Sequence, residues 1–285
     1  MSDSEQSLPK QIQLDSTMSA IDELFTKLKA ENKKAFMPFI TAGDPDLQTT
    51  RELLKTLDTA GCHLVELGIP YSDPIADGPV IQASYTRALN NGSKLESIFA
   101  MAKEMSPELS MPMVTMVSYA IVYRLGLDSF LDQAIAAGIA GAIVPDMPVD
   151  ESAEFAAKCR ERDFSLIQLI TPTTSKERAI EIAKQTTGFI YYVSITGITG
   201  ERTELPADLN DNLRWLKTQT DLPICVGFGI SSPEQVETLK PVCDGMIVGS
   251  AIVRRIAAAS EGASTESVLA DVDGFAKTML SAMNE

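Results

Sequence analysis

The sequence predicts an α/β chain folded as a (β/α)8 TIM barrel, a single domain with extra N-terminal and loop helices. Three observations lead there. Eight short, β-rich apolar runs recur along the 285 residues, and the interval from one run to the next is mostly 22 to 34 residues, the length of a βα unit. The stretches between runs open on capping residues and keep apolar positions three and four apart, as amphipathic helices do. Eight such units favour a closed parallel barrel over an open sheet. A doubly wound sheet with a second domain would carry a GxGxxG turn after its first strand and a change of composition mid-chain, and the sequence has neither.

The runs follow in order. AFMPFIT (35–41) leads through the helical DLQTTRELLKTLDTAG to HLVELGI (63–69). The next interval is about 50 residues, which leaves room for a loop helix beyond VIQASYTRAL before PMVTMVSY (112–119). DSFLDQAIAAG then leads to GAIVPD (141–146), DESAEFAAKCRERD to SLIQLIT (165–171) and SKERAIEIAKQ to FIYYVS (189–194). After SITGITGERTELP come PICVGF (223–228), the helical SPEQVETLKPV and GMIVGS (245–250). Residues 1–18 read as a disordered N-terminal tail and 19–285 as the barrel catalytic domain.

Composition narrows the function. With 39 Asp and Glu against 24 Lys and Arg, the net charge of -15 would repel phosphate backbones and anionic lipid, so neither nucleic acid nor membrane is an expected partner. An anionic small substrate would have to be held by local dipoles. Cys62, Cys159, Cys225 and Cys243 are widely spaced and form no CxxC pair, so neither a disulfide framework nor a zinc cluster is expected and reduced, cytoplasmic thiols fit best. The first residues lack the apolar core of a signal peptide and are not rich in arginine.

In a barrel the chemistry collects at the C-terminal ends of the strands. Those ends are Thr41, Gly68, Tyr119, Asp146, Thr171, Ser194, Gly229 and Ser250, with no lysine for a Schiff base. The single histidine, His63, opens the second strand and belongs to the opposite rim, which disfavours a histidine base and a His-rich metal site. Carboxylates remain. Period-two alternation puts Leu64, Glu66 and Gly68 on one face of HLVELG and Val65 and Leu67 on the other, so Glu66 points into the barrel. Burial there would raise its proton affinity into the range of a general acid and base; a structural glutamate, hydrogen-bonded inside the barrel, is the alternative.

The loop GIPYSDPIADGP adds Asp73, in a turn before Pro74, and Asp77, ahead of Gly78, Pro79 and a helical run. On local grounds Asp77 is more simply an N-cap than a site acid. Gly227 and Gly229 in GFGIS and Gly249 and Ser250 in VGSAIV stand at the ends of strands seven and eight, where glycines and a helix N-terminus suit a phosphate without a basic side chain. SITGITGERTELP has the composition of a lid or of an ordinary flexible loop. The methionines of MPMVTMV read as core.

MPFITAGDPD, VELGIPYSDPIADGPVIQ, YYVSITGITG, PICVGFGISSPEQV and DGMIVGSAIV, in this order, closely resemble the tryptophan synthase α subunit family over about residues 20–283. The resemblance implies retro-aldol cleavage of indole-3-glycerol phosphate to indole and glyceraldehyde 3-phosphate, with no metal and no cofactor in this subunit. It implies that Glu66 protonates the indole C3 and helps remove the glycerol hydroxyl proton, and that Asp77 hydrogen-bonds the indole N–H, which outweighs the local cap reading. It matches Phe39 and Tyr191 to the substrate pocket, Thr199 and Gly200 to a closing lid, and Gly229, Gly249 and Ser250 to the phosphate cradle. It also implies a pyridoxal phosphate-dependent β subunit as partner in an α2β2 complex that receives the indole. One departure stands out: Ser118-Tyr119-Ala120 occupies the end of strand three, where many members carry Tyr-x-Asn. The alternatives are a catalytically silent paralogue that activates a β-type partner, or another phosphosugar barrel isomerase, which would leave SDPIADGP unexplained.

Overall fold

The structure, a computed structural model, describes residues 18–75, 77–148, 151–194, 208–227 and 229–284. Its strands are β1 (Ala35–Thr41), β2 (Val65–Gly68), β3 (Met113–Met116), β4 (Ile139–Ile143), β5 (Ser165–Ile167), β6 (Leu169–Ile170), β7 (Ile190–Val193), β8 (Ile224–Gly227) and β9 (Gly245–Val248). All pair in parallel, in the order β5-β4-β3-β2-β1-β9-β8-β7-β6. β5 and β6 are two halves of the fifth predicted run, parted at Gln168. The first half pairs with β4 and the second with β7, so the run closes the ring and eight runs yield nine segments. Bonding toward β7 persists across the break, where Gln168 O accepts from Tyr191 N at 3.1 Å.

Alternation along each strand divides the core in two. Ala35, Met37 and Phe39 of β1, Leu64 just ahead of β2, Val114 and Met116 of β3, Tyr191 and Val193 of β7 and Ile247 of β9 fill the barrel interior. Phe36, Ile40, Val65, Leu67, Tyr192 and Met246 face the helices and form the outer layer. This is the period-two rule applied to strands whose both faces are buried.

The predicted N-terminal helix is Ala20–Ala30, with Ser19 as its N-cap. Its Ile21, Phe25 and Leu28 join the interior cluster, and Phe25 packs against Phe189 with ring centroids 5.7 Å apart, so the helix closes the N-terminal end of the barrel. The long interval between β2 and β3 holds two helices, Pro79–Asn90 and Leu95–Met105. Among the described residues no helix is long and apolar enough to cross a membrane.

Several observed strands stop one to three residues short of the predicted ends, at Met116, Ile143, Ile170, Val193, Gly227 and Val248, and the end of β3 departs in conformation as well. Tyr119 begins the helix Tyr119–Leu125 rather than ending β3. Ser118 is the cap, its hydroxyl accepting from Ala120 N at 3.3 Å, while Asp146 accepts from Ser118 Oγ and from Tyr119 N, each at 2.7 Å. These side-chain bonds give the backbone an alternative to the ladder. Over the same rim, buried Asp44 after β1 takes a bidentate pair from Arg87 of the helix Pro79–Asn90, at 2.8 and 2.7 Å. That fork fixes the helix behind the β2 loop against the first strand.

Candidate active site

β2 carries Glu66 in register with Phe39 of β1 and Val114 of β3. The side chain is 0% exposed, and among the described residues neither carboxyl oxygen has a hydrogen-bond partner. An unpaired buried carboxylate is so expensive that the group instead holds its proton. Desolvation accordingly pushes its proton affinity well above the ordinary carboxylate range.

After β2 the chain turns outward through Tyr71 to Asp77. The N-cap of the following helix is Gly78, and no side chain caps it. Asp77 is therefore not the cap that its local sequence suggests, because the cap position falls one residue later. Its half-buried carboxylate faces the pocket and accepts from Tyr71 Oη at 3.4 Å. Gln82, one turn into the helix, donates to Pro74 O at 3.1 Å and to Asp77 O at 2.7 Å and so ties both ends of the turn. Burial raises the Asp77 carboxyl to about 6; the Tyr71 hydrogen bond opposes the rise and the nearby Asp146 charge adds to it. Asp73 lies exposed and accepts from Ser72 Oγ at 2.6 Å, outside the pocket.

Phe39, Glu66, Asp77, Tyr191, Gly229, Gly249 and Ser250 line one pocket at the C-terminal end of the barrel. In this lining Gly229 adopts a φ of +76°, and Gln235 shapes that loop by donating to Gly229 O at 3.1 Å and accepting from Ser231 N at 2.8 Å. Gly249 precedes the helix Ser250–Ala257, whose first turn directs backbone N–H groups at the pocket. Among the described residues the lining holds no Lys, Arg or His, so from these residues an anion would meet backbone N–H groups and the Ser250 hydroxyl rather than a cationic side chain.

Gly227 has a different place. It does not line the pocket with the other glycines; a Cβ there would overlap the Tyr191 ring, which crosses from β7 onto β8. Its missing side chain makes room for a ring of the pocket wall rather than for a ligand. Gly227→Ala is expected to destabilise the protein by about 1–3 kcal/mol and to displace Tyr191. Urea denaturation together with a crystal structure of the variant checks this; an unchanged midpoint with Tyr191 in place would contradict it.

Met116, Ile81, Ile230, Ile247 and Ala251 also line the pocket and were not singled out from sequence. Met116 belongs to the run read wholly as core. Alternation already turned Met116 and Ile247 inward, but only the register shows which inward residues reach the pocket rather than the packed layers beneath. Thr199 and Gly200, the expected lid, lie outside the described residues. His63 accepts from Phe36 N at 3.0 Å near the N-terminal end of β1, away from the pocket as expected.

A largely apolar pocket thus brings together one fully buried carboxyl group whose proton affinity is raised well above the ordinary range, one ionised above about pH 6, and the glycines and helix N-terminus of Gly229, Gly249 and Ser250. Such a pair can donate and accept protons in one neutral-pH window. A family model described as tryptophan synthase alpha chain matches residues 25–284. The tryptophan synthase alpha chain of Rhodopirellula baltica is 54% identical over 251 residues, covering 87% of this chain and 90% of that protein. That of a Synechocystis species is 45% identical over 268 residues, 94% of this chain and 100% of its own. Among solved structures, a chain of Mycobacterium tuberculosis tryptophan synthase superposes with a TM-score of 0.85 at 28% identity, covering 94% of this chain and 100% of that one. The alpha chain from Legionella pneumophila gives 0.84 at 33%, covering 94% and 98%.

Proposed function

The chain belongs to the tryptophan synthase alpha chain family, and on that premise we propose that it cleaves indole-3-glycerol phosphate to indole and glyceraldehyde 3-phosphate by carboxylate acid–base catalysis. The observation that carries the reading is the pairing of two carboxyl groups in one pocket, Glu66 fully buried and Asp77 half-buried, each with its proton affinity raised by burial. Protonated Glu66 delivers its proton to C3 of the indole ring, which makes the ring an electron sink. Ionised Asp77 accepts a hydrogen bond from the indole N–H and stabilises the positive charge that develops there. As the bond from C3 to the glycerol carbon breaks, its electron pair restores the aromatic ring. The glycerol hydroxyl proton passes to Glu66, which returns to the acid form, and the aldehyde leaves.

Phe39, Tyr191, Met116 and Ile81 supply the apolar walls that suit an indole. Gly229, Gly249 and the first turn from Ser250 hold the phosphate through backbone N–H groups, while Gly227 acts indirectly by admitting Tyr191. Thr199 and Gly200 would close over the substrate. None of these steps calls for a cofactor in this chain.

The partner would be a tryptophan synthase β subunit carrying pyridoxal phosphate, in a cytoplasmic α2β2 assembly that takes up the indole. Two large apolar side chains lie bare beyond β2 and β3: Ile75, in the loop after β2, is 86% exposed and Tyr123, on the helix Tyr119–Leu125 after β3, is 76% exposed. Isolated exposed residues are ordinary, yet these two follow adjacent strands on the pocket side, where a partner collecting indole would dock. The departure at Ser118-Tyr119-Ala120 falls on the same rim, capped by Asp146.

The direct test is indole formation from indole-3-glycerol phosphate by the purified chain, with and without a β subunit. Turnover is expected in both cases and should rise on adding the partner. No indole in either would overturn the reading in favour of a silent paralogue.

A further inference from the structure

The loop that carries Asp77 also carries a tyrosine to which no step above gives a part. Tyr71 is half-buried, and its ring leans on Tyr85 with centroids 5.6 Å apart and planes at 51°. Tyr85 is 1% exposed, so the Tyr71 ring rests against a fixed surface. From that anchor its hydroxyl reaches Asp77 Oδ2 at 3.4 Å. The distance is long for a hydroxyl–carboxylate pair, but hydrogen bonds in an empty site commonly tighten once substrate is bound.

We propose that Tyr71 is a positioning residue: its hydroxyl donates to Asp77 and holds that carboxylate ionised and directed into the pocket. The assignment rests on the reading of Asp77 given above. Among the described residues, the other titratable groups that face Asp77 work against its charge or are neutral. Asp146 approaches from the loop after β4 and Glu66 lines the same pocket from β2. Tyr85 from the following helix and Tyr191 from β7 both feel the Asp77 charge. Asp73 adds negative charge beside Tyr71 itself. Among these groups Tyr71 alone has a described hydrogen bond to the carboxylate. Burial and the surrounding acids push the Tyr71 hydroxyl well above its ordinary range, so it remains a donor at every pH at which the protein is used.

Tyr71→Phe removes the hydroxyl and keeps the ring against Tyr85. Its effect is read by titrating the Asp77 carboxyl carbon by NMR in protein labelled with 13C-aspartate, with Asp77→Asn to assign the signal, alongside the pH profile of kcat/KM. The Asp77 midpoint should move up by roughly 0.5–1 pH unit, as expected for loss of one hydrogen bond to a charged group. The acid limb of kcat/KM should move with it, so that activity falls several-fold near pH 5.5 and little above pH 8. An unmoved Asp77 titration, or a uniform loss of activity with an unmoved limb, overturns the proposal. A parent protein that forms no indole while the Asp77 midpoint still shifts would instead count against the reaction and leave the role of Tyr71 toward Asp77 supported.

Discussion

Glu66→Gln is expected to lower the rate of indole release by at least about 10²- to 10⁴-fold, the usual worth of a positioned general acid or base. The fold should scarcely notice. Glu66 is 0% exposed, without a described hydrogen-bond partner, and burial favours its uncharged acid form. Glutamine has the same length and the same lack of charge, so no ionic interaction of the folded state is removed. What disappears is a proton that can be given to carbon and recovered from a hydroxyl. Steady-state assays of indole formation, paired with urea denaturation and a β-subunit binding measurement, separate these effects. Near-normal turnover in the variant would show that another group moves the proton. A large loss of stability would instead mean that the carboxyl has a structural partner.

Glu66 was legible in the sequence for the reason that makes it chemically unusual. In VELG it is the one acid among residues that pack, and alternation alone turns it inward, whatever the rest of the barrel does. All eight strand positions were legible on similar grounds, because parallel barrel strands are buried on both faces and read as apolar runs. What pattern alone misplaced depended on side-chain geometry or on partners in other elements. Asp77 resembles an N-cap because the bonds that give it another position come from Tyr71 and Gln82, and no local rule supplies their geometry. Gly227 resembles a phosphate glycine because nothing in GFG reveals that Val193 pairs with it and that Tyr191 leans across from β7. Tyr119 reads as a strand residue until Asp146, 27 positions later, is seen to take its backbone N–H. Sequence pattern specifies which face a residue joins; register decides what it meets there.

Asp77→Asn should produce opposite changes in activity and stability. Placing a carboxylate in this pocket raises its proton affinity from 3.8 to about 6. The unfolded chain ionises Asp77 near 3.8, so between there and about pH 6 the folded protein retains a proton that the unfolded chain has lost. Stability therefore declines as pH rises through this window, and the decline is complete above it. The displacement from 3.8 to about 6 corresponds to up to about 3 kcal/mol at neutral pH. Asparagine avoids that penalty. The variant should gain stability at pH 7.5 and show little difference from the parent at pH 4, where both side chains are largely neutral. Catalysis should move the other way. Without an anion to meet the charge developing on the indole nitrogen, kcat should fall about 10²- to 10³-fold, the range seen when one preorganised electrostatic contact is removed. The parent's acid limb near pH 6, which reports ionisation of Asp77, should vanish from what activity remains. Urea melts at the two pH values and a kcat/KM profile from pH 5 to 9 test both halves. A variant that retains the limb would assign it to another group; one that gains no stability at pH 7.5 would show that the Asp77 charge is already well compensated in the folded protein.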